Sequence, residues 1–356
     1  MAGQNLYSKI SDIDNLYKAS KDAMKGKKSK KYVAKFWLNE DREIDKIYEE
    51  LKEKKYVFGE YKEFIINDNG VTRKISAAPF RDRVVHHAIT NILEPMFEKS
   101  FIYDSYANRK GKGTLKALQR AKHYASKYKY VLQLDIKKYF PSIDFDILIK
   151  AISKKVQCRD TINLLEKLIF NSNKQEETNF YFKNDNLFTP YEKQRGLPLG
   201  NQTSQFFGNI YLNEFDHIIK EKFKIKGYIR YVDDMLFFDN SKDFLEKIIE
   251  KIKNELGNFR LKIHPLKIKL LQTQKGFIFL GHKVFNTHFR LTSKAIRRGR
   301  RKLIKTKCLY NFCKIDINQA KNKIFGTIGF FKLGSNYKIC EELLLQSVLV
   351  NTLQRQ

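Results

Sequence analysis

GYIRYVDDMLFFDN, residues 227–240, sets two adjacent aspartates, Asp233 and Asp234, inside an otherwise apolar and aromatic run. The segments on either side are typical of short β-strands, so we expect a hairpin that carries both carboxylates at its tip. Like charges held this close raise each other's pKa unless a cation lies between them. The dipeptide alone also fits an ordinary surface turn, because aspartate is a favoured turn residue.

A third carboxylate, Asp135, lies near the end of another β-rich run, KYVLQLDI at 129–136, and is followed by the aromatic Tyr139 and Phe140. If the two strands are neighbours, three carboxylates converge. Hard oxygen ligands of this kind suit Mg²⁺, which keeps waters and substrate phosphates in its shell. Two such ions about 4 Å apart would activate an attacking hydroxyl and neutralise a leaving pyrophosphate. The three aspartates therefore predict metal-dependent phosphoryl transfer.

The chain carries a large excess of positive charge. Its 356 residues include 69 Lys and Arg against 39 Asp and Glu, a formal net charge of +30, and 42% of them are apolar, enough for a sizeable core. Residues 256–315 contain no Asp or Glu and supply sixteen of the positive charges. A merely solvated face usually mixes both signs, so this stretch predicts a surface that binds the phosphates of a nucleic acid.

Several other classes of protein do not fit the sequence. The cysteines show no CxxC spacing and the histidines form no cluster, so a structural zinc site is not expected. No apolar run approaches the ~20 residues of a membrane span, and the N-terminus lacks the apolar core of a signal peptide. We therefore expect a soluble, cytoplasmic protein.

Four motifs follow one another along the chain: LDIKKYFPSID (134–144), RGLPLGNQTSQ (195–205), YVDD (231–234) and FLGH (279–282). In type and order they resemble the reverse transcriptases of group II introns and retroelements. The resemblance extends over 73–282, about six tenths of the chain. One YxDD motif would be weak support, whereas four in series at plausible spacing are specific.

The resemblance implies an α+β fold, a right-hand polymerase with fingers, an antiparallel-sheet palm and a helical thumb. Residues 1–130 would form the N-terminal region and fingers, and 131–283 the palm, with 145–195 partly returning to the fingers. Residues 284–356 would form a basic helical thumb. Within the fingers, the pattern predicts a helix that stops near Pro95, because proline disfavours continuation of a helix.

The same resemblance assigns the chemistry. Asp135 and Asp233 would hold two Mg²⁺ ions, for which Mn²⁺ can substitute, with help from the Ile136 carbonyl. Asp234 would support the ion that prepares the primer 3′-hydroxyl. Lys267 resembles the palm lysine proposed to protonate the leaving pyrophosphate.

Further residues match positions that bind the deoxynucleoside triphosphate. TRKISAAPFRDRVV, residues 72–85, looks like the fingers segment whose basic residues Arg73, Lys74 and Arg83 grip the triphosphate. Phe140 falls where such enzymes keep the aromatic gate that rejects a ribose 2′-hydroxyl. A plain core phenylalanine and solvated surface cations are the alternatives for these positions.

The second motif departs from the usual pattern. Many reverse transcriptases read Pro-Gln-Gly and close the loop with Ser-Pro, whereas this chain has Pro198-Leu199-Gly200 and ends in Ser204-Gln205. Leu199 thus replaces a glutamine that elsewhere touches the incoming nucleotide, and the resemblance also assigns Gly200 and Gln205 of this loop to nucleotide binding. An aliphatic side chain cannot hydrogen-bond the sugar, so selection of the nucleotide is expected to be looser.

These departures resemble the reverse transcriptases of diversity-generating retroelements, which are bacterial, archaeal or phage-encoded. The family copies a template-repeat RNA into cDNA with errors concentrated at adenines, and the cDNA replaces part of a target gene. It implies template RNA, primer or cDNA strand and deoxynucleoside triphosphates as partners, together with a small basic accessory protein. About seventy residues follow FLGHKVF, which suits a thumb without added maturase or endonuclease domains.

Basic residues outside the motifs are candidates for nucleic-acid contact. Arg109 and Lys112 lie in the glycine-broken segment SYANRKGKG, residues 105–113, where backbone could approach a template strand. Each could also be a solvated surface charge. Four arginines at roughly helical spacing in the expected thumb would contact the template–primer backbone: Arg297, Arg298, Arg300 and Arg301.

Two alternatives stay open. One is a group II intron-like or retron-type reverse transcriptase of ordinary fidelity, which Leu199 and Gln205 argue against. The other is a non-catalytic RNA-binding protein on a polymerase scaffold, which fits the basic stretch 256–315 but gives no reason for three intact aspartates.

Overall fold

The computed structural model of the protein describes residues 6–68, 71–336 and 341–343. Its helices are α1 (Leu6–Ile10), α2 (Ile13–Met24), α3 (Lys31–Trp37), α4 (Glu40–Lys52), α5 (Phe80–Glu98), α6 (Thr114–Lys127), α7 (Tyr139–Ser142), α8 (Phe145–Ser153), α9 (Arg159–Phe170), α10 (Thr189–Glu192), α11 (Gln202–Tyr211), α12 (Asn213–His217), α13 (Lys242–Asn258), α14 (Ser293–Asn311) and α15 (Ile317–Phe331). Its strands are β1 (Lys62–Asp68), β2 (Val71–Ala77), β3 (Tyr130–Asp135), β4 (Gly227–Tyr231), β5 (Asp234–Asp239), β6 (Lys269–Gln272), β7 (Phe277–Phe279), β8 (His282–Val284) and β9 (Phe289–Leu291). None of these helices, within the described ranges, has the length and apolar content needed to cross a bilayer.

A four-stranded antiparallel sheet with the order β4-β5-β3-β6 forms the centre of the molecule. Successive side chains of a strand point to opposite faces of its sheet. On β5, Met235 and Phe237 join the large core under the helices, whereas Leu236 and Phe238 pack on the other face against α6 and the β7–β9 sheet. Both faces are covered, which explains why β5 is apolar at every interior position.

The N-terminal helices α1–α4 pack around α5, which in turn packs against α11. The α2 helix begins at Asp12, whose side chain accepts hydrogen bonds from the backbone amides of Asp14 and Asn15. The expectation that α5 stops near Pro95 is wrong, since the helix continues to Glu98. Buried side chains on both sides of the proline, including Leu93 and Phe97, hold the helix against its neighbours, so packing outweighs the lost backbone hydrogen bond.

The strands β1 and β2 form a separate two-stranded antiparallel hairpin, with Lys62 opposite Ala77 and Asp68 opposite Val71. It meets the loop before α11 at the end that carries Ser76. There the Ser76 amide donates to the carbonyl of Leu199 at 3.0 Å, which joins the hairpin to the loop before α11.

The C-terminal part contains the small β7-β8-β9 sheet followed by α14 and α15. The Thr292 hydroxyl accepts from the Ala295 amide and caps α14. The buried side of α14 is narrow and packs through Gly299 and Leu303, so most of its cations face water. The expected mixture of helices and antiparallel sheets is therefore confirmed.

Candidate active site

The expected hairpin is confirmed, and its turn is as short as a hairpin allows. Tyr231 at the end of β4 pairs with Asp234 at the start of β5, so only Val232 and Asp233 connect the strands. Two-residue hairpin turns require positive φ to match the twist of the strands. Val232 has a φ of 58°, a left-handed backbone that β-branched residues rarely adopt.

The strand that ends in Asp135 lies directly beside this hairpin. Asp135 is the register partner of Asp234, and the Ile136 amide donates to the carbonyl of Asp233 at 3.3 Å. The strands are thus neighbours, as the sequence predicted. We call the group formed by Asp135, Asp233 and Asp234 the acid end of the sheet.

Negative charge at the acid end is poorly balanced. Burial, followed by the charge of Asp135, raises the pKa of Asp233 to about 6, although Lys267 and Arg73 oppose the rise. Burial and the charges of Asp233 and Asp135 raise the pKa of Asp234 to about 7. A bound cation would relieve both effects.

Lys267 reaches the acid end from a single turn of 3₁₀ helix at Pro265–Lys267. Its Nζ lies 2.7 Å from Oδ2 of Asp135, while the carbonyl of Asp135 accepts from the His264 amide at 2.8 Å. The lysine side chain remains 52% exposed, so it can also meet a ligand from solvent. Lys267 therefore lies beside the carboxylates, and its proposed role as a proton donor stays a prediction.

The donor set at the acid end suits a hard divalent cation, because carboxylate and carbonyl oxygens are the ligands that Mg²⁺ prefers. Across the described ranges, no three Asp, Glu, His or Cys side chains are gathered closely enough to hold a metal ion. One reason is visible in the geometry, since Asp135 turns an oxygen toward the ammonium of Lys267. The residues fit a metal by their chemistry and by their unbalanced charge.

Phe140 follows the acid end on the short helix α7 and is half-buried rather than part of the closed core. Its ring rests against Gly208 of α11, where an added Cβ would lie 3.2 Å from Cε1 of the ring. The neighbouring Tyr139 is buried and donates its hydroxyl to the Gly208 carbonyl at 2.5 Å. The Phe140 ring therefore packs against Gly208 and remains partly exposed to solvent.

A set of contacts that we call the clasp joins strand β2 to the loop 198–201. It includes the Ser76–Leu199 bond and a hydrogen bond of 2.9 Å from Nδ2 of Asn201 to the Ser76 carbonyl. Gly200 has a φ of 110°, and a Cβ there would approach Ile75 to 2.8 Å. Only glycine fits this position, and it leaves Leu199 half-buried beside it.

The basic residues of β2 differ in their surroundings. Arg73 is exposed and lies close enough to Asp233 to lower the pKa of that carboxyl. Lys74 is also exposed, but its Nζ pairs with Glu63 across the hairpin at 2.7 Å. The structure brings Arg73 toward the acid end and directs Lys74 to its cross-strand partner.

Arg83 and Gln205 are the remaining residues predicted to bind the nucleotide. Arg83 is half-buried, donates from Nε to the Ala78 carbonyl at 2.8 Å and stacks on the Tyr32 ring. Gln205 is exposed on α11, one turn after the clasp. Arg83 is thus held by protein groups, whereas Gln205 faces solvent.

The structure corrects the expected template contact of Arg109. Its side chain is only 5% exposed, and its guanidinium donates to the Glu98 carboxylate and to two backbone carbonyls. Because these bonds hold the Arg109 guanidinium inside the protein, its role is structural. Lys112 is half-exposed, but its Nζ donates to the Tyr103 carbonyl at 2.7 Å and lies over the Tyr103 ring.

The four arginines of α14 are all exposed, and we call them the arginine face. Within the described chain, the structure records for them one ion pair, between Arg300 and Glu342 at 3.2 Å. The arginine face consists of Arg297, Arg298, Arg300 and Arg301.

Sequence reasoning missed Arg230, which is fully buried in the middle of β4. It pairs with Asp216, which is equally buried. A signal was present, because a charged residue inside an otherwise apolar strand must find a partner when both faces are covered.

Comparisons with known proteins agree with this geometry. A family model described as "Reverse transcriptase (RNA-dependent DNA polymerase)" matches residues 62–284. YkfC of Escherichia coli is 26% identical, with 68% of this chain and 69% of that protein covered. The retron Ec83 reverse transcriptase of Escherichia coli is 28% identical, with 76% and 81% covered.

Other matches cover a smaller share of the matched protein. The group II intron-encoded protein LtrA of Lactococcus lactis is 24% identical over 63% of this chain, which spans only 36% of LtrA. A solved structure of apo telomerase from Candida tropicalis aligns with a TM-score of 0.53 and 13% identity, covering 82% of this chain and 58% of that one. This likeness confirms the expected α+β polymerase fold. Since the family model matches more than half of its length, the chain belongs to the reverse transcriptase family.

Proposed function

We propose that the protein is an RNA-directed DNA polymerase that extends a primer on an RNA template with deoxynucleoside triphosphates. The observation that carries the proposal is the pairing of Asp135 with Asp234 beside Asp233. Three carboxylates with unbalanced charge at one end of a sheet can hold the cations that nucleotidyl transfer needs. Membership of the family supports this reading.

Asp135, Asp233 and the Ile136 carbonyl would hold two divalent ions, Mg²⁺ or Mn²⁺, and Asp234 would support them. When bound, such ions activate the primer 3′-hydroxyl and neutralise the leaving pyrophosphate. Lys267 is near enough to the acid end to give a proton to the leaving group. Its half-exposed ammonium would carry that proton to a pyrophosphate oxygen once the substrate separates it from Asp135.

The remaining groups would orient the substrates. The exposed guanidinium of Arg73 would bind the triphosphate, and the supported ring of Phe140 would occupy the space that a ribose 2′-hydroxyl needs. The hairpin β1–β2 would then belong to the fingers and the four-stranded sheet to the palm. The arginine face would bind the template–primer backbone as part of the thumb.

We further propose that nucleotide selection is relaxed, as in diversity-generating retroelements. Leu199 lies in the clasp where an amide side chain would otherwise contact the nucleotide, and a leucine offers no hydrogen bond. The substrate would be a template-repeat RNA, with misincorporation concentrated at template adenines. A small basic accessory protein would assist in selecting that RNA.

A reverse transcriptase of ordinary fidelity is the second candidate. The observation in its favour is the match to the retron Ec83 enzyme over most of both chains. Sequencing cDNA made from one defined RNA separates the two candidates. Errors gathered at adenines favour the first, whereas errors spread evenly over all template bases favour the second.

Primer extension tests the catalytic proposal itself. Purified protein, a DNA primer annealed to RNA, the four deoxynucleoside triphosphates and Mg²⁺ are expected to give full-length cDNA, and EDTA should stop the synthesis. RNA binding without any extension under these conditions would refute the polymerase and support a non-catalytic RNA-binding protein.

A further inference from the structure

A fully buried ion pair lies behind the two-residue turn. Neither Asp216 nor Arg230 exposes its side chain. Arg230 donates from Nη2 to one carboxylate oxygen at 2.7 Å and from Nε to the other at 2.8 Å. Tyr228 donates its hydroxyl to the same carboxylate at 2.8 Å. The carboxylate of Asp216, on α12, is thereby fixed against β4.

The third guanidinium nitrogen, Nη1, is shared between the turn and Asn209, whose Oδ1 accepts from it at 3.2 Å. Arg230 Nη1 donates to the backbone carbonyl of Val232 at 3.2 Å. Val232 is the residue in the left-handed region, which is unfavourable for a β-branched side chain. The other half of the turn is held by the neighbouring strand, because the Asp233 carbonyl accepts from the Ile136 amide. The arginine thus contacts the strained half of the turn.

Stability alone is a weak reason for such a pair. Removing a guanidinium and a carboxylate from water is costly, and well-packed apolar residues of similar volume often stabilise a core at least as well. Apolar residues could not supply the hydrogen bond to Val232. A strained backbone persists only where its surroundings hold it, and such positions concentrate at functional sites.

We propose that Arg230, oriented by Asp216, is a positioning residue: it holds Val232 in its left-handed conformation and so fixes where Asp233 presents its carboxylate. This inference rests on the proposed polymerase function and concerns the same site. Arg230 itself touches neither substrate nor metal. Its effect passes through the backbone of the turn.

The test removes the pair without leaving a buried charge. The variant Tyr228→Phe/Asp216→Leu/Arg230→Met replaces the ion pair and the Tyr228 hydroxyl with apolar side chains of similar size and leaves Asn209, which also donates to the Ala107 carbonyl, in place. It is expected to fold, but kcat for primer extension should fall about a hundredfold, as for a misplacement of about 1 Å. The affinity for Mn²⁺, titrated without nucleic acid, should fall about tenfold, while KM for the nucleotide and RNA affinity stay unchanged. Tyr228→Phe alone is the matched control, since it removes one buried hydrogen bond without touching the turn.

Addition of Val232→Gly to the triple variant supplies a rescue that a merely structural role does not predict. Glycine adopts positive φ without a side-chain penalty, so the turn no longer needs the arginine. We expect recovery of about tenfold in kcat and of most of the lost Mn²⁺ affinity. This recovery is expected although positions 216 and 230 keep their apolar substitutions.

Two outcomes would overturn the inference: a folded triple variant whose kcat and Mn²⁺ affinity match those of Tyr228→Phe, or a loss that Val232→Gly leaves untouched. If the triple variant does not fold, Arg230→Lys makes the same comparison, because lysine keeps the charge but lacks the fork that reaches both Asp216 and the turn. The Mn²⁺ titration needs no polymerase activity. Wild-type protein that binds Mn²⁺ but never extends a primer would refute the proposed function and still test the positioning.

Discussion

The acid end and the arginine face are both charged, and they are built in opposite ways. At the acid end, carboxylates are partly buried, fixed by strand pairing and close enough to raise the pKa of Asp233 and Asp234. On α14 the guanidinium groups are exposed and separated along the helix. The first region concentrates charge where water is scarce, whereas the second distributes it where water is abundant.

This difference predicts how each region responds to substitution. Electrostatic interactions are strong where water is excluded and weak where it screens them. One residue at the acid end should therefore decide whether the reaction occurs. The arginine face should act collectively, through the number of phosphates that it neutralises.

The largest effect is expected at the turn. Asp233→Ala removes a carboxylate that would hold the metal ions, a loss of several kcal/mol in the transition state and of about a thousandfold or more in rate. RNA binding should change little, because the acid end repels phosphates. Primer extension and filter binding measure the two quantities.

Asp239→Asn, at the opposite end of the same strand, is the matched control and should extend the primer at the wild-type rate. Extension by Asp233→Ala near the wild-type level would mean that the acid end is not the catalytic centre.

The second-largest effect is expected at the arginine face, whose four residues act together on nucleic-acid binding. Replacing all four residues of the arginine face with alanine should lower the slope of log affinity against log salt by about 3 to 4. When salt rises from 0.05 to 0.2 M, the affinity of the variant for a template–primer duplex should therefore fall by about two orders of magnitude less than the affinity of the wild-type protein.

The control replaces four exposed lysines of α13, where glutamates alternate with the lysines, and should leave the slope almost unchanged. An equal change in slope in both variants would show that only net charge matters. The four control positions are Lys242, Lys247, Lys251 and Lys253.

A smaller effect is expected beside the acid end. Phe140→Ala opens the space where the ring rests on Gly208, so ribonucleotides should be incorporated about tenfold more readily relative to deoxynucleotides. Single-turnover incorporation of paired ribo- and deoxynucleotides measures the ratio. A core role alone would instead lower stability and leave the ratio unchanged.

The smallest effect is expected where α14, the helix that carries the arginine face, packs against α15. A Cβ on Gly299 would lie 1.9 Å from Cζ of Phe331, so Gly299→Ala should force α14 and α15 apart and cost about 1–3 kcal/mol of stability. Urea unfolding measures the cost.

Gly326→Ala on α15 is the control, because a Cβ there meets nothing within 4 Å. It should be neutral or stabilise the protein by up to about 1 kcal/mol, since alanine favours helix. Equal losses in the two variants would argue against the close contact of the helices.

The acid end could be predicted because it depends on local signals. Strand-forming residues flank a dipeptide suited to a turn, and Asp135 ends a run of the same kind, so register alone brought the carboxylates together. Lys267 was assigned through its resemblance to a palm lysine of the family. The roles proposed for these residues remain predictions until the variants are measured.

What the sequence did not reveal depends on which partner a side chain meets once the chain is folded. Pro95 was expected to end a helix that packing in fact continues, and Arg109 was expected to face a template although Glu98 holds it inside. Arg230 looked like part of an apolar strand until Asp216, fourteen residues earlier, was seen to meet it. Each case turns on a contact that no local pattern encodes.

The clasp has a mechanical consequence. Because Ser76 and Leu199 share a backbone bond and Ile75 fills the space above Gly200, the β1–β2 hairpin and the loop before α11 cannot shift independently. A swing of the hairpin would carry the loop with it, so in the proposed polymerase the admission of a nucleotide and a change in the shape of its binding site would be a single movement. Substitutions in the residues about which the hairpin and the loop move could then alter the accuracy of nucleotide selection, although those residues lie far from the substrate.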